Sequence, residues 1–522
     1  MAKTKTKQVF KQYNPQQNFL LPPNLDELVP QGHLVRVISD MIDSMDISSI
    51  VNCYAGGGTS AYHPRMMVKI LLYAYAVKIY TGRKIARALR QDITFMWLAA
   101  FNRPDFRTIN NFRSGILKDT IEDLFKEMLC FLLEREYICF ENYFCDGSTF
   151  GANANRHKIV WKKNAERYLA IAEQKCQDLF KEIDLLNSRE DMQYGNKELE
   201  ELGGNKEVST ETITAQAGRL GEIAQKSTSK KVRKKALTLK KRLEEQQEKL
   251  DTYKEQQETC GNRSGYSRTD TDATAMRMKN DELLPAYNIL IGTEQQLITS
   301  YSVHQKPNDG ACFKEHLEQQ EKHSKISPEN VIADGIFGTQ ENYQLLEDKE
   351  ISNYMKYPLY HKEQSAAYRD DPYNKENFPY DPPTDTYICP NQKRLKFRYV
   401  KTERSRSGYI SFSRLYECEN CTGCPLAEEC KKTNENNRTI TINQALDHYK
   451  EQVRQNLKSK KGNLLKRQRG HEVETCFGDI KMNQEFRRFN LRGKPKVEVE
   501  FGLVAIAHNM RKIHLLLHKM AV

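Results

Sequence analysis

The sequence predicts an α/β fold built on a mixed sheet, with an all-α N-terminal domain, a long helical-hairpin insertion and a small Cys-rich module. Three observations predict it. Residues 286 to 357 alternate as strand, strand, helix, strand, helix, strand. Residues 24 to 113 carry apolar side chains at three- and four-residue spacing, the period of helices packed on one face. Residues 160 to 261 shift to Lys, Glu, Gln, Leu and Ala with few turn signals, the composition of long solvated helices.

In the N-terminal domain, residues 1–130, "HLVRVISDMIDSM" and "MMVKILLYAYAVKIYTGRKIARALRQ" are amphipathic, and His63-Pro64 opens the second stretch because proline suits a first helical turn. "YTGRKIARALRQD" is a glycine-containing break followed by a basic amphipathic stretch and a stop. That pattern fits one helix-turn-helix unit, and equally a plain helical bundle whose basic face is only solvated. Arg83, Lys84, Arg87, Arg107 and Arg113 are its candidate DNA contacts.

Residues 131–159 begin the sheet. Tyr137, Ile138, Cys139, Phe140, Tyr143 and Phe144 are strand formers, and the strand is expected to end at Asp146-Gly147. Residues 160–262 read as two long helices forming a hairpin, with "KKVRKKALTLKKRLEEQQEKL" the strongest segment and turn signals at "YGNKELEELGGN" and "GEIAQKSTS". The sheet resumes over 263–359 with "AYNILIGTEQQLITSYSVH", the helix "ACFKEHLEQQEKH", the strand "NVIADG", the helix "TQENYQLLEDKE" and the short strand "SNYMKY". Residues 360–449 are polar, proline-punctuated and hold a cysteine cluster. Residues 450–522 return to helical period.

Composition narrows the function. Among 522 residues, 81 Lys and Arg stand against 69 acids, a formal charge of +12 that favours a polyanionic partner. No apolar run approaches the roughly 18 residues of a membrane span, and "MAKTKTKQVF" lacks a signal peptide's apolar stretch, so a cytoplasmic protein is expected. The 13 cysteines are not a disulfide framework. Cys418, Cys421, Cys424 and Cys430 follow C-x2-C-x2-C-x5-C with Cys389 upstream. Thiolates so dense favour structural Zn²⁺ over an iron-sulfur cluster, with Cys389 a rival for one of four positions.

Two acids end apolar strands in Asp-Gly steps, Asp146 and Asp334. Asp-Gly alone is a common turn. Two such strands side by side in an open sheet would put both carboxylates on one rim, where repulsion is relieved by a hard cation such as Mg²⁺. Paired metals of this kind serve phosphodiester chemistry. A third acid is available in "RQRGHEVETCFGDIKMNQEFRRFNLRGK" as Glu472 or Glu474, and Glu474 and Lys481, seven apart, share a helix face.

"YFCDGST", "VIADGIF" and the helix "EVETCFGDIK" with "FRRFNLRG" and "AIAHNMRKI" resemble the DDE transposases of bacterial insertion sequences. The likeness is to the branch with a Tyr, Arg, Glu, Lys signature and an N-terminal helical domain, to which "HPRMMVKILLYAYA" and "PDFRTINNFR" are similar. The resemblance implies an RNase H-like catalytic domain with Asp146, Asp334 and Glu474 as catalytic acids. It also implies two Mg²⁺ per site, replaceable by Mn²⁺, and hydrolytic cleavage at the element ends followed by attack of the freed 3′-hydroxyl on target DNA. Lys481, Arg487, Arg488 and Arg492 would contact phosphates. The signature arginine is expected four positions before the glutamate, where Gly470 stands; its tyrosine position holds Arg467, and Arg469 substitutes by a shift of one. The implied partners are double-stranded DNA, both terminal inverted repeats and target, and a second copy of the chain in a homodimer on that DNA. A descendant that binds DNA without cleaving it is the alternative.

Overall fold

A computed structural model of the chain describes residues 24–54, 61–194, 208–405, 407–431 and 436–520. The leader "MAKTKTKQVF" and most of the turn signal "YGNKELEELGGN" lie outside these residues. Two compact units form, one within Met1–Met128 and Ile506–Val522 and the other Leu129–Ala505. Among the described residues, no helix is long and apolar enough to cross a membrane.

The first unit is helical, as the period predicts. The helices Leu34–Ser44, Pro64–Ala76, Gly82–Gln91, Ile93–Leu98 and Phe106–Asn111 follow in order. Their starts are encoded locally. His63 accepts from the Arg65 amide ahead of Pro64, Thr81 from Lys84, and Asp105 from Thr108. Val35, Ile38, Val68, Leu71, Ile85 and Leu89 are buried, and Tyr73 stacks obliquely on Phe95 with ring centres 4.8 Å apart. Each such side chain contributes about 1.5–3 kcal/mol of transfer energy.

The second unit is organised by an eight-stranded mixed sheet. Its strands are β1 (Asn142–Gly151), β2 (Ile159–Trp161), β3 (Gly265–Ser267), β4 (Asp270–Arg277), β5 (Leu283–Glu294), β6 (Leu297–His304), β7 (Asn330–Ala333) and β8 (Ser352–Asn353). β1 is central, antiparallel to β5 on one side and parallel to β7 on the other, and β7 is parallel to β8. β1 differs from expectation at both ends. Residues 137 to 141 are not strand, because the backbone amides of Cys139, Phe140, Glu141 and Asn142 all turn onto the buried Glu294 carboxylate at 2.9, 2.7, 3.1 and 3.3 Å. The strand then runs through Asp146-Gly147 to Gly151, held by β5.

Among the described residues between β2 and β3 lie three helices rather than two: Lys162–Tyr194, Thr210–Lys226 and Lys230–Cys260. The break at Ser227–Ser229 falls on the turn signal "GEIAQKSTS" and separates the second of them from the third. They have their own core of Cys176, Phe180, Leu220, Leu239 and Leu243. After β8 a second, antiparallel sheet forms from β9 (Tyr380–Asp381), β10 (Thr386–Ile388), β11 (Arg394–Arg404), β12 (Ile410–Cys418) and β13 (Thr439–Ile442). Leu395, Tyr416 and Ile440 pack there with Cys389, Cys418, Cys421 and Cys430.

The chain then runs through helices Gln444–Lys458 and Lys460–Arg469 into a π turn, Gly470–Glu474, a short α segment, Thr475–Gly478, and a second π turn, Asp479–Asn483. Phe477, Phe486, Phe489 and Phe501 surround Phe150 of β1 at ring-centre distances of 5.6–6.2 Å. This aromatic cluster fixes the helical segment over one face of β1.

Candidate active site

The parallel pairing of β1 with β7 ends at Cys145 opposite Ala333. The next residue on each strand is an acid, so Asp146 and Asp334 stand side by side in register. Asp334 meets the strand-end expectation, since β7 stops there and a 3₁₀ turn, Gly335–Phe337, begins. Asp146 lies within β1 yet past the end of its parallel neighbour. Beyond β8 the chain stays beside β7, with the Tyr354 amide donating to Val331 at 2.9 Å and that of Lys356 to Ala333 at 3.4 Å. Lys356 thereby arrives beside Asp334. Burial, then Arg469 and Lys466, lower its proton affinity, while Asp334 and Glu474 oppose them.

Alternation puts Asp146, Ser148 and Phe150 on one face of β1. The helical segment carrying Glu474 covers that face. Lys481 Nζ donates to Ser148 Oγ at 2.5 Å and to the Thr149 carbonyl at 2.7 Å, and it sits 4.3 Å from the Phe150 ring centre. Burial lowers its proton affinity to about 8. The expected phosphate ligand is thus engaged with the strand.

Asp146 is the most perturbed acid of the group. Burial raises its carboxyl to about 6; the Gly147 amide, donating at 2.8 Å, and Arg469 oppose the rise, whereas Asp309 and Asp334 add to it. Arg469 is the pivot. Its Nη1 lies 3.6 Å from Asp146 Oδ2 and its Nη2 3.1 Å from Glu474 Oε1, with the arginine side chain only 13% exposed. Five residues in an α-helix turn through about 140° beyond one full turn and face apart. A π turn closes i to i+5, so Gly470–Glu474 brings Arg469 and Glu474 to one side and absorbs the one-residue shift in the signature. Glu472 points elsewhere, its Oε2 accepting from the Gln296 amide at 2.6 Å.

A further acid was missed. Asp309 accepts from Asn288 Nδ2 at 2.6 Å, and a Cβ added at Gly147 would fall 2.5 Å from its carboxylate. The glycine after Asp146 therefore admits Asp309, whose carboxyl is raised by burial. Asp309-Gly310 is a third Asp-Gly step in the sequence, a signal that was available. Lys356 falls in the predicted strand "SNYMKY" but past the end of β8, Ser352–Asn353, and nothing in that run marks it as a neighbour of the acids.

Among the described residues, no three His, Cys, Asp or Glu side chains stand together closely enough to hold a metal ion. The donor set nonetheless has the right chemistry: Asp146, Asp334 and Glu474 offer hard oxygens, as Mg²⁺ requires, and a guanidinium is the cation between two of them.

The expected DNA contacts divide. Arg487, Arg488 and Arg492 are exposed; Arg488 Nε and Arg492 Nε donate to the carbonyls of Ala152 and Asn153, beside an open cleft of about 790 Å³ that also takes in Arg156, His157 and Lys158. Arg83, Lys84, Arg87 and Arg107 are exposed on the helical unit. Arg113 is not available: it is 3% exposed and donates to Tyr75 Oη, the Tyr80 carbonyl and Asn110 Oδ1 at 2.9, 2.7 and 3.1 Å. It is a core arginine.

Cys389, Cys418, Cys421, Cys424 and Cys430 line one small cavity. N–H donors approach three of the sulfurs, from Lys393 to Cys389 (3.3 Å), Arg438 to Cys421 (3.2 Å) and Asn391 Nδ2 to Cys424 (3.4 Å).

Comparison with known families gives two matches. Residues 388–514 match the family described as "Transposase DDE domain", and residues 23–115 match "Transposase domain (DUF772)". The first covers the cysteines, Glu474 and Lys481; Asp146 and Asp334 fall outside both. No curated protein and no solved structure matches. The two matches support a DDE transposase of the insertion-sequence type, a class that acts on DNA.

Proposed function

We propose that the protein is a DNA transposase that binds the terminal inverted repeats of its insertion sequence, cleaves at the element ends and joins the 3′-hydroxyl ends to target DNA. The observation that carries this reading is the single guanidinium shared by Asp146 and Glu474, acids from two elements 328 residues apart that meet beside Asp334. Asp146, Asp334 and Glu474 are the catalytic acids in this reading, and the bond of Glu472 to the Gln296 amide supports the choice of Glu474 over it. Two Mg²⁺, or Mn²⁺ in their place, would be held by these acids and would supply Lewis-acid activation of the attacking oxygen and stabilisation of charge on the phosphate.

The chain's own groups do the rest. Asp146 must give up a proton held near pH 6 before it can serve as a ligand. Lys481 positions the helical segment on β1, which sets the approach of Glu474 to Asp146. Arg487, Arg488 and Arg492 are suited to phosphate oxygens along the neighbouring cleft, and Arg83, Lys84, Arg87 and Arg107 to DNA held by the helical unit. A pair of chains acting on two element ends is the working form of this reading. In the cysteine module, a structural Zn²⁺ held by four of the five thiols is the proposed ligand, and the thiols around the small cavity would have to draw together to hold it, since no three stand at metal-binding spacing among the described residues.

Asp334→Asn tests the assignment. DNA carrying the element ends should be bound by both forms and cut, in Mg²⁺, only by the wild type. Equal cleavage by the variant would refute the catalytic role; binding without cleavage by either protein would favour the DNA-binding descendant.

A further inference from the structure

We propose that Arg469 is a built-in counter-ion of the acid site and that a divalent metal enters by displacing its guanidinium from Asp146 and Glu474. The inference rests on the reading of Asp146, Asp334 and Glu474 as the metal-holding acids. Arg469 reaches oxygens of both Asp146 and Glu474, and at 13% side-chain exposure it is sheltered from solvent competition. The contact depends on the π turn Gly470–Glu474, without which residues five apart would diverge. An exposed arginine that merely contacts DNA needs no such turn.

Charge arithmetic gives the reason. Asp146 lies within electrostatic reach of Asp309 and Asp334, so the strand rim collects three carboxylates before Glu474 is added. Like charges so close require a cation. Arg469 supplies one, and the acids spread around its fork do not converge as three metal ligands. Metal and arginine therefore compete for the same oxygens. Once displaced, the guanidinium is repelled by Lys356, which lies within electrostatic reach of Arg469 and Asp334. A phosphate offers the fork geometry it has lost. Metal uptake and capture of a DNA phosphate by Arg469 thus favour one another, as linkage demands.

The experiment is Mn²⁺ binding to the DNA-free full-length chain, measured by calorimetry and by the spin signal of free Mn²⁺, for wild type, Arg469→Gln, Arg469→Lys and Asp334→Asn. Competition predicts tighter binding by Arg469→Gln, by about tenfold, the factor equivalent to 1.4 kcal/mol. Arg469→Lys, a compact charge unable to span both acids, should fall between. Unchanged or weaker binding by Arg469→Gln, with thermal unfolding like that of the wild type, overturns the proposal and leaves Arg469 a positioning residue. If Arg469→Gln does not fold, Arg469→Lys decides by the same criterion. Asp334→Asn separates the two levels: binding it does not reduce means that the acids are not the metal site, and both readings fail.

Discussion

Replacing Asp146 by asparagine should stabilise the metal-free protein at neutral and alkaline pH. Burial raises the Asp146 carboxyl from 3.8 to about 6 in the folded chain. Below pH 3.8 both states hold the proton and nothing is lost. Between 3.8 and 6 the folded state keeps a proton that the unfolded state releases, so stability falls as pH rises. Above 6 the full cost applies, about 3 kcal/mol at about 1.4 kcal/mol per pH unit. The side chain is 23% exposed, so solvent screening trims this figure only partly. Loss of the Arg469 contact, 3.6 Å and therefore weak, offsets some of the gain. The assay is thermal unfolding in EDTA between pH 4 and 8, with hydrogen exchange of β1 amides as a local probe, because a chain of two units need not unfold in one step. The variant should unfold a few degrees above wild type at pH 8, with the gap closing toward pH 4. Excess Mg²⁺ should reverse the order, since only the wild type keeps all three acids to bind it. A variant less stable than wild type at pH 8 in EDTA, or one with the same pH dependence, refutes the reasoning.

Two further tests concern packing and metal. Gly147→Ala would set a methyl 2.5 Å from the Asp309 carboxylate, and an overpacked site of this kind costs about 1–3 kcal/mol; the unfolding temperature should drop, and adding Asp309→Ser should recover most of it, whereas additive losses would mean the two residues do not collide. Elemental analysis of the purified protein should give about one zinc per chain. Iron with visible absorbance would replace that assignment, and neither metal would leave the second sheet resting on its apolar core, which includes Phe378, Leu395, Tyr416 and Ile440.

What could be read from the sequence was what short-range chemistry dictates. A run of four buried residues ended by Asp334 and a glycine is visible locally, as is the helix start at His63-Pro64; the caps at Thr81 and Asp105 were there to be read but were not. The start of β1 was not, because Tyr137, Ile138, Cys139 and Phe140 have strand-forming side chains, while the amides from Cys139 to Asn142 answer to Glu294, more than 150 positions away. Arg469 was suspected only as a shift in spacing, since helical periodicity assumes 3.6 residues per turn and a π turn breaks that assumption. The second sheet went unread although Leu395, Phe397 and Tyr399 alternate with basic residues along β11, because the polar residues, prolines and cysteines around it suggest a small irregular module. Arg113 looked like a DNA contact because sequence shows charge but not burial.

The four amides gathered on Glu294 also govern which parts of this chain can change length. They lock the backbone from Cys139 to Asn142 to the end of β5, leaving only three residues before Asp146. One residue inserted or deleted in that interval would slide the acid by about 3.3 Å and turn it to the opposite face of the sheet. Helices 162 to 260, with a core of their own, can by contrast be lengthened or trimmed without touching this measure. Variation among natural copies should accumulate there and stop short of the few residues that Glu294 counts out.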